Sequence, residues 1–237
     1  MPNPYFRFKQ FTVYHDRCAM KVGTDGVLLG AWCDVSEANT ALDIGTGTGL
    51  IAIMISQRNL NLRTDAIDID KEAIGQAEEN ISQSPFSSRI RCYHRSLQSF
   101  QEQGQQKYDI IISNPPFFAQ SLKSPRETRT LARHTDSLQI EELISISSDF
   151  LAERGKLSVI YPFEYKELLV EQATKSGLYV SRITNVYPTP SSSPKRILME
   201  ISKIYVPQIE NDLTIEKERH VYSDEFTALM KDFYLKM

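Results

Sequence analysis

Asn114-Pro115-Pro116-Phe117 is the stretch of this 237-residue chain whose residue types point most directly to a reaction. Two consecutive prolines fix φ and remove two backbone donors, which leaves a turn rich in acceptors. Two of these are the Asn114 side-chain carbonyl and the Pro115 backbone carbonyl. Such a pair suits a planar aromatic amine, a poor nucleophile because its lone pair is delocalised into the ring. Acceptors on both of its N–H groups favour a pyramidal nitrogen and stabilise the positive charge that develops there. Phe117 offers a face on which a base can stack, a contact worth about 1–3 kcal/mol. The same tetrapeptide anywhere else reads as a rigid turn with a turn-forming Asn. Its place argues for chemistry: it follows Tyr108–Ser113 (YDIIIS), apolar enough to be a strand buried on both faces of a parallel sheet.

The second constellation is Leu42-Asp43-Ile44-Gly45-Thr46-Gly47-Thr48-Gly49. Its glycines allow a tight turn and a close approach of ligand to backbone. The helix that follows offers free N–H groups. The dinucleotide pattern G-x-G-x-x-G does not fit, because Leu50 stands where its third glycine belongs. Asp43 stands two residues before the first glycine and would repel a pyrophosphate. An acid there suits a ligand that carries an ammonium or a sulfonium. S-adenosylmethionine carries both and no phosphate. Nineteen residues past Gly49, Asp68 closes the next strand and can accept two ribose hydroxyls, with the apolar Ile69 beside it for an adenine face. Asp70 reads as a helix cap. At the end of the third strand stand Ser96 and Leu97, so a contact to adenine there would use a hydroxyl or a backbone N–H.

The elements that must position these groups alternate in α/β fashion. Strands are predicted at Ala41–Ile44, Ala66–Ile69, Ile90–Tyr93, Tyr108–Ser113, Lys156–Tyr161, Tyr179–Tyr187 and Ile197–Tyr205. The last two are joined by the Pro/Ser loop Pro188–Pro194, short enough for an antiparallel pair. Helices are predicted at Leu50–Gln57, at Lys71–Gln83, at Leu138–Leu151 capped by Asp136 or Ser137, and at Glu164–Lys175 ended by Gly177. A short helix, Val27–Trp32, precedes this core. A helix bearing Phe226, Leu229, Met230 and Phe233 follows it, with Ser223 as its cap. In a doubly wound sheet, the glycine turn and the Asn-Pro-Pro turn fall side by side at the carboxyl edge. The expectation is a single domain. Residues 1–34 form a lid segment for cofactor or substrate, 38–206 the cofactor-binding core, and 207–237 a C-terminal extension with a helix.

Composition excludes other classes. The longest unbroken apolar run, Leu50–Ile55, has six residues, far too few to span a bilayer. No basic stretch leads into an apolar run at the start of the chain, so a cytoplasmic location is expected. The three cysteines, Cys18, Cys33 and Cys92, form no Cys-x-x-Cys pair, so neither a disulfide framework nor a metal site is expected. The net charge of −3 argues against a nucleic-acid partner, but the charge is unevenly spread. Arg7, Lys9, Arg17 and Lys21 lie near the start, and Lys123, Arg126, Arg129 and Arg133 just beyond the Asn-Pro-Pro turn. Acids crowd the C-terminal part. The basic segments form a local electropositive face or are scattered solvated charge.

These motifs resemble those of class I S-adenosylmethionine-dependent methyltransferases with an Asn-Pro-Pro-(Phe/Tyr) turn. More narrowly, the chain is similar to the bacterial tRNA1(Val) (adenine-37-N6)-methyltransferase family. Besides LDIGTGTG and SNPPFF, the likeness rests on Phe6-Arg7-Phe8-Lys9-Gln10-Phe11, on Met20 through Trp32, on Ser193-Pro194-Lys195-Arg196 and on Phe233-Tyr234. It implies a Rossmann-like seven-stranded sheet with the last strand antiparallel, and short N- and C-terminal additions. It implies cofactor contacts at Asp43, Gly45, Thr46, Gly47, Gly49, Asp68, Ile69, Ser96 and Leu97, and the target amine at Asn114, Pro115, Pro116 and Phe117. The activity implied is N6-methylation of adenosine 37, beside the anticodon, with tRNA as the partner and a monomer as the expected state. RNA contacts are then expected at Lys9, Lys21, Lys123, Arg126, Arg129, Arg133, Lys195 and Arg196, with the target nucleotide swung out of the anticodon loop. Guanine N2-methylation of ribosomal RNA and glutamine N5-methylation of a protein are the alternatives that the same turn serves.

Overall fold

The computed structural model describes residues 3–18, 20–102, 106–116 and 138–237. Phe117, Lys123, Arg126, Arg129 and Arg133, and the cap expected at Asp136 or Ser137, lie outside the described residues. In chain order the elements are β1 (Tyr5–Arg7), β2 (Thr12–Tyr14), α1 (Thr24–Trp32), β3 (Thr40–Ile44), α2 (Leu50–Arg58), β4 (Arg63–Asp68), α3 (Lys71–Ser82), β5 (Ile90–His94), α4 (Leu97–Gln101), β6 (Tyr108–Ser113), α5 (Ile140–Phe150), β7 (Leu151–Pro162), α6 (Lys166–Lys175), β8 (Tyr179–Tyr187), β9 (Arg196–Ser202), β10 (Ile209–Thr214), β11 (Glu216–Glu218), β12 (Val221–Tyr222) and α7 (Asp224–Met230).

The central sheet runs β10-β8-β9-β7-β6-β3-β4-β5. Strands β3 to β7 are mutually parallel, and β9 lies antiparallel between β7 and β8. The expected seven strands are all present, with the last of them antiparallel. The sheet nevertheless has eight, because β10 adds to β8 at the edge in parallel register. Its sequence, Ile-Glu-Asn-Asp-Leu-Thr, is mostly exposed and polar, which conceals a strand from a reading of apolar runs. Two of the acids that mark this segment have defined partners. Asn185 Nδ2 donates to Glu210 at 2.9 Å and to Asp212 at 3.0 Å, and Lys166 Nζ lies 2.5 Å from Glu210. Charged edge strands also resist pairing with another chain.

Helices cover both faces, and the strands alternate accordingly. In β6, Ile110 and Ile112 enter the cluster formed by α1, α2 and α7, whereas Ile111 enters the one formed by α5 and α6. This explains why YDIIIS is apolar at successive positions. Leu28 and Ile53, at 0% exposure on α1 and α2, each contribute about 1.5–3 kcal/mol by burial. The two termini share the first cluster, since Phe8, Phe11 and Val13 are buried with Phe226, Met230 and Phe233. The Trp32 indole N–H donates to Thr184 Oγ1 at 2.9 Å, and the Arg182 guanidinium stacks 3.7 Å from the Trp32 ring centre. These contacts clamp α1 against β8.

Element ends depart from expectation in a few places. Helix α1 starts at Thr24 rather than Val27, on Gly23 and without a side-chain cap. Helix α5 starts at Ile140, with Gln139 at its cap position. Strand β7 begins at Leu151, because Leu151 pairs with Tyr108 before a shift brings Lys156 opposite Ile110. Cysteine burial is uneven: Cys33 is buried, whereas Cys18 and Cys92 are half-buried, and all three are free thiols. Among the described residues no helix is long and apolar enough to cross a membrane.

Candidate functional site

The strand order reverses between β3 and β6, which lie side by side while their continuations diverge. Ligands of open α/β sheets bind at the carboxyl ends of such a pair. The glycine turn leaves β3 there, and Asn114 leaves β6. Ser113 Oγ donates to the Ile44 carbonyl at 2.9 Å, joining the two strand ends directly. Asn114 is half-buried, Pro115 buried and Pro116 exposed.

Gly45, Gly47 and Gly49 have φ of 70°, 55° and 78°, in the left-handed region that other residues enter only with strain. Nothing lies within 4 Å of where a Cβ on Gly45 or Gly47 would stand, so a ligand has room to reach the backbone. A Cβ on Gly49 would stand 3.3 Å from Ala77 Cβ and from Ile81 Cδ1, so the third glycine lets α2 start tightly against α3.

Asp43 is fully buried and turned inwards. Its Oδ2 accepts from Thr46 Oγ1 at 2.7 Å and from the Ala52 N–H at 3.2 Å, while Oδ1 has no partner among the described residues. Burial pushes its carboxyl up to about 7, against the pull of those two bonds. Asp43 therefore shapes the turn from behind and does not expose a carboxylate at the surface. Asp68 does reach the turn. Its Oδ2 accepts the Gly47 N–H at 2.8 Å and its Oδ1 the Asp70 N–H at 2.9 Å. Burial raises this carboxyl too, opposed by its backbone bonds. Ile69 beside it is 53% exposed, enough apolar surface to receive a flat ring. Asp70 caps α3 by accepting the Glu72 N–H at 2.9 Å, as expected. Ser96 caps α4 by accepting the Ser99 N–H at 3.1 Å, and Leu97 is buried.

Gly45, Thr46, Gly47, Gly49, Asp68 and Ile69 thus lie at the carboxyl ends of β3 and β4, with Ser96 and Leu97 following β5, whereas Asp43 is buried behind the turn. The open turn, Asp68 and Ile69 fit S-adenosylmethionine. The site contains an open glycine turn, the Asp68 carboxylate bonded to that turn, and the exposed apolar Ile69 next to it. Among the described residues no cluster of His, Cys, Asp or Glu could hold a metal ion.

The described basic residues separate. Lys195 is exposed and Arg196 half-buried at the start of β9, opposite Pro162, which puts both at the site's edge of the sheet. Arg196 Nε donates to Asp25 Oδ2 at 2.8 Å. Lys21 is exposed three residues before α1. Lys9 is elsewhere: its ammonium donates to the carbonyls of Lys231 and Met237. It lines a cleft of about 500 Å³ with Gln10, Gln57, Arg58, Lys231 and Asp232, at the end of α2 remote from the glycine turn.

Gly26 belongs to the site, although no motif in the sequence singles it out for a role. A Cβ there would stand 3.6 Å from Asn114 Nδ2 and 3.3 Å from Leu50 Cδ2. Its position in Thr-Asp-Gly at a helix start was the available signal.

Residues 20–176 match the model of the methyltransferase small domain. The chain is 52% identical, over the whole of both chains, to the tRNA1(Val) (adenine(37)-N6)-methyltransferase of Parabacteroides distasonis. It is 50% identical to the protein of that name from Trichodesmium erythraeum, over 98% of each chain. It is 48% identical to the one from Flavobacterium psychrophilum, over 98% of this chain and 100% of that one. Its fold is similar to that of a predicted O-methyltransferase from Agrobacterium tumefaciens, with a TM-score of 0.69 at 18% identity over 88% of this chain and 96% of that one. A ribosomal protein L11 methylase from Lactobacillus delbrueckii subsp. bulgaricus gives 0.54 at 20% identity, over 76% of this chain and 77% of that one. With the family model matching residues 20–176 and relatives about half identical over 98% or more of the chain, the chain belongs to the methyltransferase small-domain family, among the tRNA1(Val) (adenine(37)-N6)-methyltransferases.

Proposed function

We propose that this protein methylates the exocyclic N6 amine of adenosine 37 in tRNA1(Val), in the cytoplasm. The observation that carries the reading is the meeting of two turns at one sheet edge, the open glycine cradle after β3 and Asn114-Pro115 after β6. The names of the full-length relatives supply the acceptor.

S-adenosylmethionine supplies an electrophilic methyl group on a sulfonium. The glycine turn and the first N–H groups of α2 bind it, Asp68 accepts its ribose hydroxyls, and Ile69 packs on its adenine. Ser96 Oγ and the N–H groups at the start of α4 meet the adenine edge. Asn114 Oδ1 and the Pro115 carbonyl accept the two N–H groups of the target amine and aim its lone pair into the cradle. Positioning and electrostatic stabilisation supply the rate enhancement. Phe117 stacks on the target base. Lys21 and Lys195, with the basic residues Lys123, Arg126, Arg129 and Arg133 that follow the turn in sequence, hold RNA phosphates. Extruding one nucleotide from a loop costs less than extruding it from a duplex.

The test is incubation with labelled methyl donor and total tRNA, ribosomes or protein extract, followed by nucleoside analysis. Label in N6-methyladenosine from tRNA is expected. Label in protein alone, or in N2-methylguanosine from ribosomal RNA, rejects the reading.

A further inference from the structure

Asn80 on α3 is fully buried and polar. Its Nδ2 donates to the Thr48 carbonyl at 2.9 Å and to the Tyr14 carbonyl at 2.8 Å, and its Oδ1 accepts the Tyr14 N–H at 2.8 Å. Thr48 belongs to the glycine turn and Tyr14 ends β2. One side chain therefore ties the N-terminal hairpin to the cofactor cradle. One helical turn earlier, the buried Gln76 accepts the Arg17 N–H on Oε1 at 3.2 Å. The Arg17 guanidinium pairs with Glu79 on the same helix. At Cys18 the charges of Asp68 and Asp70 add to burial in pushing the thiol up to about 11. The chain then enters α1, where Gly26 meets Asn114. The described chain is thus tied to the glycine turn at Tyr14 and to α3 at Arg17, and it approaches the amine turn at Gly26.

Burying an amide costs desolvation that its bonds offset, with little net stability left over. What the amide adds is geometry, because its three bonds fix two backbone segments relative to each other. We infer that Tyr14–Cys18 and Met20–Gly23 form a strap that closes along the bound S-adenosylmethionine, and that Asn80, seconded by Gln76, is the positioning residue that holds this strap to the glycine turn. The inference rests on the donor binding at that turn, and adds what retains it there. Neither amide touches the donor; both act through backbone.

The test uses the full-length protein, S-adenosylmethionine, calorimetry, steady-state kinetics and amide hydrogen exchange. In the wild type, the donor is expected to slow exchange at Tyr14 and Arg17 by about tenfold or more. Asn80→Ala is expected to weaken donor binding by about tenfold and raise its KM, with kcat at saturation within about twofold of the wild type. It is also expected to abolish the slowing at Arg17. Ser223→Ala, which removes the cap of α7, serves as a control for general destabilisation: it lowers Tm without moving donor affinity. If Asn80→Ala does not fold, Gln76→Leu, which removes the acceptor for the Arg17 N–H, carries the same comparison. A folded variant that binds the donor within about twofold of the wild type overturns the inference. Equal exchange at Tyr14 and Arg17 with and without donor overturns it too. A wild-type protein that does not bind the donor at all rejects the cofactor site and the strap with it.

Discussion

Gly26 and Asn114 are 88 residues apart in sequence, yet a single methyl group on Gly26 would bring the two into contact, 3.6 Å from Asn114 Nδ2. The same methyl would press on Leu50 Cδ2 at 3.3 Å. Helix α1 therefore forms the wall behind the amine turn. That helix is held by Trp32 on β8 at one end and by the Asp25–Arg196 pair at the other.

Asn114→Ala should cut single-turnover methylation of a tRNA transcript by about a hundredfold or more, since one transition-state acceptor is lost. Donor affinity by calorimetry should stay near that of the wild type. Near-normal turnover would show that the turn is not catalytic.

Gly26→Val should act on Asn114 at one remove. Its branched side chain crowds Leu50 and Asn114, so Leu50, Asn114 or the start of α1 must shift. Because a small misplacement of a reacting group is costly, turnover should fall by about tenfold or more. Retention of full kcat in this variant would mean that the wall yields freely.

Asp43 predicts an unusual pH dependence in the ligand-free protein. Its carboxyl is raised to about 7 in the folded state, against about 4 unfolded. Folded protein therefore holds the proton more tightly between these values, and stability falls as pH rises through that window. The contribution is fully present below about pH 4 and lost above about pH 7, with an upper bound of about 4 kcal/mol. Denaturant unfolding should show Asp43→Asn gaining on the wild type between about pH 5 and about pH 8. A constant difference between the two proteins over that range contradicts the burial argument.

Lys195 is exposed at the site's edge, so Lys195→Glu should weaken tRNA binding and flatten its salt dependence by about one contact, with little effect on Tm. An unchanged slope in filter binding would remove this loop from the interface.

Much of the arrangement was legible in the residues. The glycine spacing excluded a dinucleotide, the apolar Tyr108–Ser113 marked a central strand, and Asp70 and Ser223 cap the helices they were expected to cap. These are local signals, carried by neighbouring residues. The hairpin of β1 and β2, β10 and the short α4 went unread, because each is brief or polar and is held by distant partners. Asp43 was expected to meet the ligand's positive charge, yet it faces Thr46 and Ala52. Residue type showed an acid at the turn, but not the direction of its side chain.

The sequence by itself determined the two turns at the sheet edge, because an acceptor-rich turn and an open glycine turn are properties of a few adjacent residues. Only the tertiary structure decided what surrounds those turns. It put Gly26 behind Asn114, tied Tyr14 to Thr48 through Asn80, and spent Lys9 on the C-terminal carbonyls at the far end of α2. Each of these joins residues dozens to hundreds of positions apart. No periodicity or spacing records such contacts, because they arise when packed helices and the sheet bring distant backbone together. Asn114-Pro115-Pro116 pointed to a reaction, and the fold supplies the walls around that turn.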